Sequence, residues 1–149
     1  MVYSIDKEFN EEDLVSLRMV VPKSDTMVVY NTMIENKTKQ CISIKDAYSI
    51  STTHRIIREH GVEFVDLELF WKLQGENRFI RKPLVYVPKF TINRAIECVT
   101  DGSALEIKEA ESMMNSFFVS NNIKPLTPCY VVTDTNGLDG LIMRLCVGY

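Results

Sequence analysis

The stretch Val62 to Leu73, VEFVDLELFWKL, places three carboxylates, Glu63, Asp66 and Glu68, in an otherwise apolar segment that also carries Phe70 and Trp71. A carboxylate buried among such side chains without a partner is costly, and its pKa rises because a low-dielectric surrounding disfavours the charged form. Such a group has two uses. It can await a cationic, aromatic-rich ligand, pairing with the charge while rings stack on Trp71, Tyr48, Tyr130 or Phe117, each cation-π contact adding roughly 0.5 to 2 kcal/mol. It can instead serve as a general acid or base, for a gain of about 10² to 10⁴ in rate. Glu97, between Ile96 and Cys98, is a second candidate acid, and Met113, Met114, Phe117 and Phe118 form an apolar stripe that suits a core or an adaptable ligand pocket.

Strand parity sorts the three acids. Asp66, Glu68 and Phe70 share one face, while Val65, Leu67, Leu69 and Trp71 share the other. The all-apolar face should pack against a helix, which points Glu68 either into a cleft or into water. Glu63, on the other parity at the start of the strand, reads as an edge charge. His54 reads as a surface residue in a hairpin loop beside Arg55 and Arg58. No Ser-His-Asp or Cys-His arrangement has a recognisable spacing, and the glycines form no phosphate cradle.

The elements that must hold these residues come in two similar sets. DAYSISTTHRIIREHGVEFVDLELFWKL near the centre and TPCYVVTDTNGLDGLIMRLCVGY at the end each run from a tyrosine, through a Ser/Thr-rich strand and a Gly-containing turn, into a second strand. The first hairpin is expected to have the longer loop. Upstream, LVSLRMVV and INRAIECVT read as strands, preceded by VYSIDKEF and LVYVPKF. Each leads to a helix start, at Ser24 and at Ser103, where Ser103 and Glu106 make a capping box. Ile107, Ala110, Met114 and Phe117 then mark one helical face. MVVY at Met27 favours a strand by propensity, but its place in the repeat assigns it to a helix.

These units predict an α+β fold of tandem strand-helix-strand-strand modules, with a mostly antiparallel sheet, two main helices and a central cleft on a pseudo-twofold axis. The expected boundaries are repeat one over 1–73, a polar joint over 74–82 and repeat two over 83–149, together one domain.

Composition bounds the function. The chain has 149 residues, 46% hydrophobic and 25% charged, with a net charge of -3 and no basic run. This argues against direct nucleic-acid binding, which needs a concentrated positive face. No apolar segment is long enough to span a bilayer, the amino terminus lacks the order of a signal peptide, and a cytoplasmic location is expected. Cys41, Cys98, Cys129 and Cys146 are scattered, with no metal-ligand spacing, so free thiols are expected and neither a metal nor a cofactor.

The residues also resemble a known family. In TINRAIECVTDGSALEIKEAESMMNSFFVSNNIKPLTPCYVVTD, Gly102, Ile107, Ala110, Phe117, Pro125, Pro128 and Tyr130 follow in order the pattern of the GyrI-like proteins, the bacterial transcription-activator effector-binding domains. VDLELFWKL resembles the acid-bearing strand that closes that family's first repeat, with Glu68 at the usual glutamate. The resemblance implies a small-molecule cleft, and members act as ligand sensors of multidrug-responsive regulators, as stand-alone binding proteins, as a DNA gyrase inhibitor, and in some cases as hydrolases of cyclopropane-containing toxins. The chain opens at Met1 without a helix-turn-helix pattern, so a stand-alone binding protein for a hydrophobic or cationic ligand, monomeric or homodimeric, is the expectation. One departure concerns the hairpins: aligned on their alternation, Glu68 falls opposite Ile142, and the last strand carries no acid. The alternatives are a hydrolase using Glu68 and a protein-binding inhibitor presenting Glu8, Glu11, Glu12 and Asp13.

Overall fold

The computed structural model describes residues 1–75, 79–135 and 140–149. The elements run β1 (Val2–Pro22), α1 (Met27–Lys39), β2 (Ile44–Glu59), β3 (Val62–Leu73), β4 (Val85–Thr100), α2 (Ala104–Ser120), β5 (Tyr130–Thr135) and β6 (Leu141–Gly148). This is the expected α+β order, with antiparallel pairing. The chain forms two compact units, one of residues 1–10 with 91–149 and one of residues 11–90. Part of the expected joint, residues 76–78, lies outside the described residues.

In the unit of residues 11–90 the strands are ordered β1-β3-β2, with Leu17 opposite Leu69 and Ser51 on its other side. The odd face of β3 does what its sequence demands. Val65, Leu67 and Leu69 join Val15, Leu17 and Val21 of β1 in a core closed by Val29 and Met33 of α1, with Trp71 packed at its margin. MVVY is helical because Val29 and Met33, four residues apart, both reach this core, and that burial overrides the β preference of its valines. The helix starts after Thr26 rather than at Ser24, with no side-chain cap. Lys37 and Lys39 in its last turn complement the helix dipole.

The other unit repeats the strand order as β4-β6-β5. Ile96, Cys98, Leu145 and Val147 meet Ala110, Met114 and Phe118 of α2. The capping box forms at Ser103, whose Oγ accepts from Glu106 N at 3.3 Å. Glu106 reaches two residues further back than a standard box and accepts from Asp101 N at 2.7 Å. Gly102 is required here: its φ is +81, and a Cβ would lie 2.6 Å from Leu141 Cδ2.

The structure corrects the sequence reading of the leading strands and of α2. The paired leading strands are continuous in β1 and β4, and within β1 Asp6 and Asp13 both adopt the left-handed region. The first hairpin turn is short: only His60 and Gly61, both at positive φ, separate β2 from β3, the geometry that matches strand twist, while residues 136–139 of the second hairpin lie outside the described residues. The buried face of α2 is Ala110, Met114 and Phe118, an unbroken i+4 row, so Phe117 turns partly outward.

Candidate functional site

Alternation along β3 turns Asp66, Glu68 and Phe70 away from α1. In register, Glu68 lies between Arg18 of β1 and Thr52 of β2, and Phe70 lies between Ser16 and Ile50. Both acids have partners. Asp66 is 3% exposed and accepts from Arg18 Nε at 2.9 Å, Arg18 Nη2 at 2.8 Å and Arg55 Nε at 3.3 Å. The Arg18 guanidinium holds the Asp66 carboxyl below the usual carboxylate range, with Arg55 adding to it against the opposing effect of burial.

Glu68 has a different partner. Its side chain is 16% exposed, and Oε1 lies 2.7 Å from Nε2 of His54, itself 20% exposed. His54 is a strand residue, not the loop residue its sequence suggested. The β2–β3 register shifts between Thr53 and Arg55, so His54 is the extra residue of a β-bulge. A bulge re-aims one side chain across the sheet, and here it delivers the imidazole to Glu68. Local alternation reads past such an insertion, and the one cue in the sequence was an imidazole within a strand-like Thr-Thr run.

At the other end of this face Glu11 accepts from Tyr48 Oη at 2.7 Å and from Lys72 Nζ at 2.8 Å. Asp13 accepts from Tyr86 Oη. The acidic run near the amino terminus is therefore part of β1, with Glu11 and Asp13 bonded to other strands and Glu8 accepting from its near neighbour Asn10. Glu63 behaves as an edge charge, bonded to Lys23 and Arg58, whose hydrogen bonds hold its carboxyl low.

In the other unit, Glu97 and Tyr130 both flank Cys146 of β6, one on β4 and one on β5, on the face turned away from α2. Cys146 Sγ donates to Glu97 Oε2 at 3.7 Å. The acid missing from β6 is thus supplied by a neighbouring strand, and Asp134 of β5, opposite Ile142, adds another. Burial pushes the Cys146 thiol up to about 12 and the Cys129 thiol up to about 11, so both stay protonated at neutral pH.

Met113 and Phe117 line a cavity of about 770 Å³ beside α2, with Tyr3 and Leu105. The seven candidate residues therefore fall in three groups: Glu68 and Tyr48 on one sheet face, with Trp71 on the reverse of the same strand; Glu97 and Tyr130 around Cys146; and Met113 with Phe117 at the α2 cavity. Among the described residues no group of three His, Cys, Asp or Glu side chains could hold a metal ion, and no helix is long and apolar enough to cross a membrane.

No protein-family model matches the chain, and no curated protein matches it by sequence. Solved structures do. An EcmrR-DNA complex determined by cryo-EM in EcmrR-RPo is similar over 97% of this chain and 56% of that one, at 13% identity and a TM-score of 0.64. The crystal structure of the EcmrR C-terminal domain is similar over 99% of this chain and 98% of that domain, at 15% identity and a TM-score of 0.61. The chain thus spans about half the length of EcmrR in that complex and nearly all of its C-terminal domain, and at these identities the likeness is one of fold.

Proposed function

We propose that the chain is an effector-binding domain of the GyrI-like kind, taking up amphipathic aromatic cations, with Glu68 as the residue that recognises the charge. The observation that carries this reading is the mostly buried Glu68 carboxylate held at 2.7 Å by His54, on the sheet face that also bears Tyr48 and Phe70. A carboxylate taken out of water needs a partner. Asp66 has two guanidinium groups, whereas Glu68 has an imidazole on a bulge, a partner that a ligand cation can replace. The fold shared with the EcmrR C-terminal domain supports the reading, as does the resemblance of VDLELFWKL to the family's acid-bearing strand.

Exchange of His54 for a cationic ligand leaves Glu68 paired before and after binding, so the ligand need only outbid one hydrogen bond to a charged group. Such a bond is worth about 1.5 to 3 kcal/mol, or roughly 10- to 150-fold in affinity. The test is calorimetric titration with amphipathic aromatic cations, followed in parallel by Trp71 fluorescence, on wild type and Glu68→Gln. Loss of at least tenfold in the variant supports the reading; equal affinities remove it.

The same pair favours a second reading. A carboxylate that fixes an imidazole is the base-and-orienter half of a nucleophilic or acid/base site, so Glu68 with His54 could open a strained electrophile. Hydrolysis of such compounds no faster with the protein than in buffer ends that reading.

A further inference from the structure

We infer that the cavity beside α2 is a separate binding site, built for a single-chain amphipath with a zwitterionic head. The site belongs wholly to the unit of residues 1–10 and 91–149 and does not depend on the role proposed for Glu68. Its volume of about 770 Å³ falls within the range of small-molecule sites, about 300 to 1,000 Å³. One wall is α2 from Leu105 to Ser120, and the other is Met1 and Tyr3 at the start of β1.

The helix has two apolar stripes where one would suffice for folding. Ala110, Met114 and Phe118 face the sheet, while Leu105, Met113 and Phe117 line the cavity. Leu105 is 69% exposed and Tyr3 53%. The floor is fixed, because the Phe117 ring is held by Phe118 at 5.3 Å and by Tyr149 at 5.2 Å between centroids. A wall braced in this way keeps its shape without a ligand, which lowers the cost of binding. Small side chains at Ser112, Ser116 and Ser120 leave room along the helix for a chain to lie close.

Charge at one end selects the head. Lys108 and Glu109 both line the cavity, both are exposed, and neither has an ion pair or hydrogen bond among the described residues, although the Glu109 carboxylate acts through space on the Met1 amino group. Glu106, one turn nearer the helix start, is already paired with the Met1 amino group at 2.7 Å. A purely cationic head meets attraction from Glu109 and repulsion from Lys108, and an anionic head meets the reverse. A head carrying both charges satisfies both side chains. From Glu109 to Ser120 the helix advances about 16 Å at its usual rise per residue, enough for a medium-length alkyl chain.

The experiment uses the full chain with dodecylphosphocholine, dodecyltrimethylammonium and dodecyl sulfate, all below their micelle concentrations, read by calorimetry and by the Met113 methyl resonance. The zwitterion should bind at least tenfold tighter than either singly charged amphipath of the same chain length. Shorter chains should weaken binding about three- to fourfold per methylene removed. Ser116→Trp, an exposed position that fills the groove, should abolish the Met113 shift while leaving the fold intact by circular dichroism. Glu109→Lys should invert the preference towards dodecyl sulfate, and Glu68→Gln should leave zwitterion binding unchanged. No Met113 shift with any of the three, or shifts equal in Ser116→Trp, overturns the inference. It also falls if the Met113 resonance moves with protein concentration as the mass doubles, since the groove would then seat a second copy.

Discussion

Replacing Asp66 by Asn tests the electrostatic frame around Glu68. Asp66 is almost wholly buried and accepts three N–H bonds, two from Arg18 and one from Arg55. Asparagine keeps the shape but removes the charge and turns one acceptor oxygen into a donor that faces guanidinium N–H groups. Bonds to a charged group are worth about 1.5 to 3 kcal/mol each. Breaking a fully buried ion pair costs about 3 to 5 kcal/mol, but the Arg18 side chain is 51% exposed and Arg55 is 66% exposed, so both can rehydrate. The expected loss is about 2 to 3 kcal/mol near neutral pH, read by urea unfolding of both proteins. The folded Asp66 carboxyl lies below its ordinary value, so its stabilisation is present above about pH 4 and is lost as pH falls through the folded pKa. The gap between wild type and variant should therefore narrow on acidification. A loss under about 0.5 kcal/mol near neutrality, or a gap that widens as pH falls, refutes the reasoning. A functional effect follows too: Arg18, opposite Glu68 in register, gains freedom to pair with it, and cation binding should weaken in the variant.

The remaining predictions concern the elements that carry the two sites. Met33→Ala removes a side chain with 1% exposure beneath α1 and should cost about 2 to 5 kcal/mol in urea unfolding, with the larger loss if the core cannot close around the space. Ser103→Ala removes the cap of α2 and should cost about 0.5 to 2 kcal/mol, whereas Ser24→Ala, two residues ahead of the N-cap Thr26 in a helix with no side-chain cap, should be near neutral in the same assay. His54→Leu removes the partner of Glu68 and should raise affinity for amphipathic aromatic cations in calorimetry while lowering stability, because the empty protein then keeps a mostly buried carboxylate without its imidazole.

Much of the architecture was legible because several cues agreed. The alternation of VEFVDLELFWKL assigned Val65, Leu67 and Leu69 to the helix-packed face, and the matching order of elements outweighed the strand propensity of MVVY. Ser103 with Glu106 marked the start of α2. What remained hidden depends on neighbours distant in sequence. The bulge at His54 shifts the side-chain period by one residue, so reading the segment alone gives a loop, and only the pairing with β3 shows where the imidazole goes. The ion pair between Arg18 and Asp66 joins residues 48 positions apart. Choosing between Phe117 and Phe118 on α2 required the width of the buried face, which spacing by 3 and 4 leaves open.

The central claim is that Glu68 recognises a ligand cation. Its most direct test is the dissociation constant of an amphipathic aromatic cation for wild type and for Glu68→Gln, with an uncharged isostere of the same ligand as control. The account predicts a loss of about tenfold or more for the cation and no change for the isostere. Equal loss for both ligands, or none for either, would contradict it.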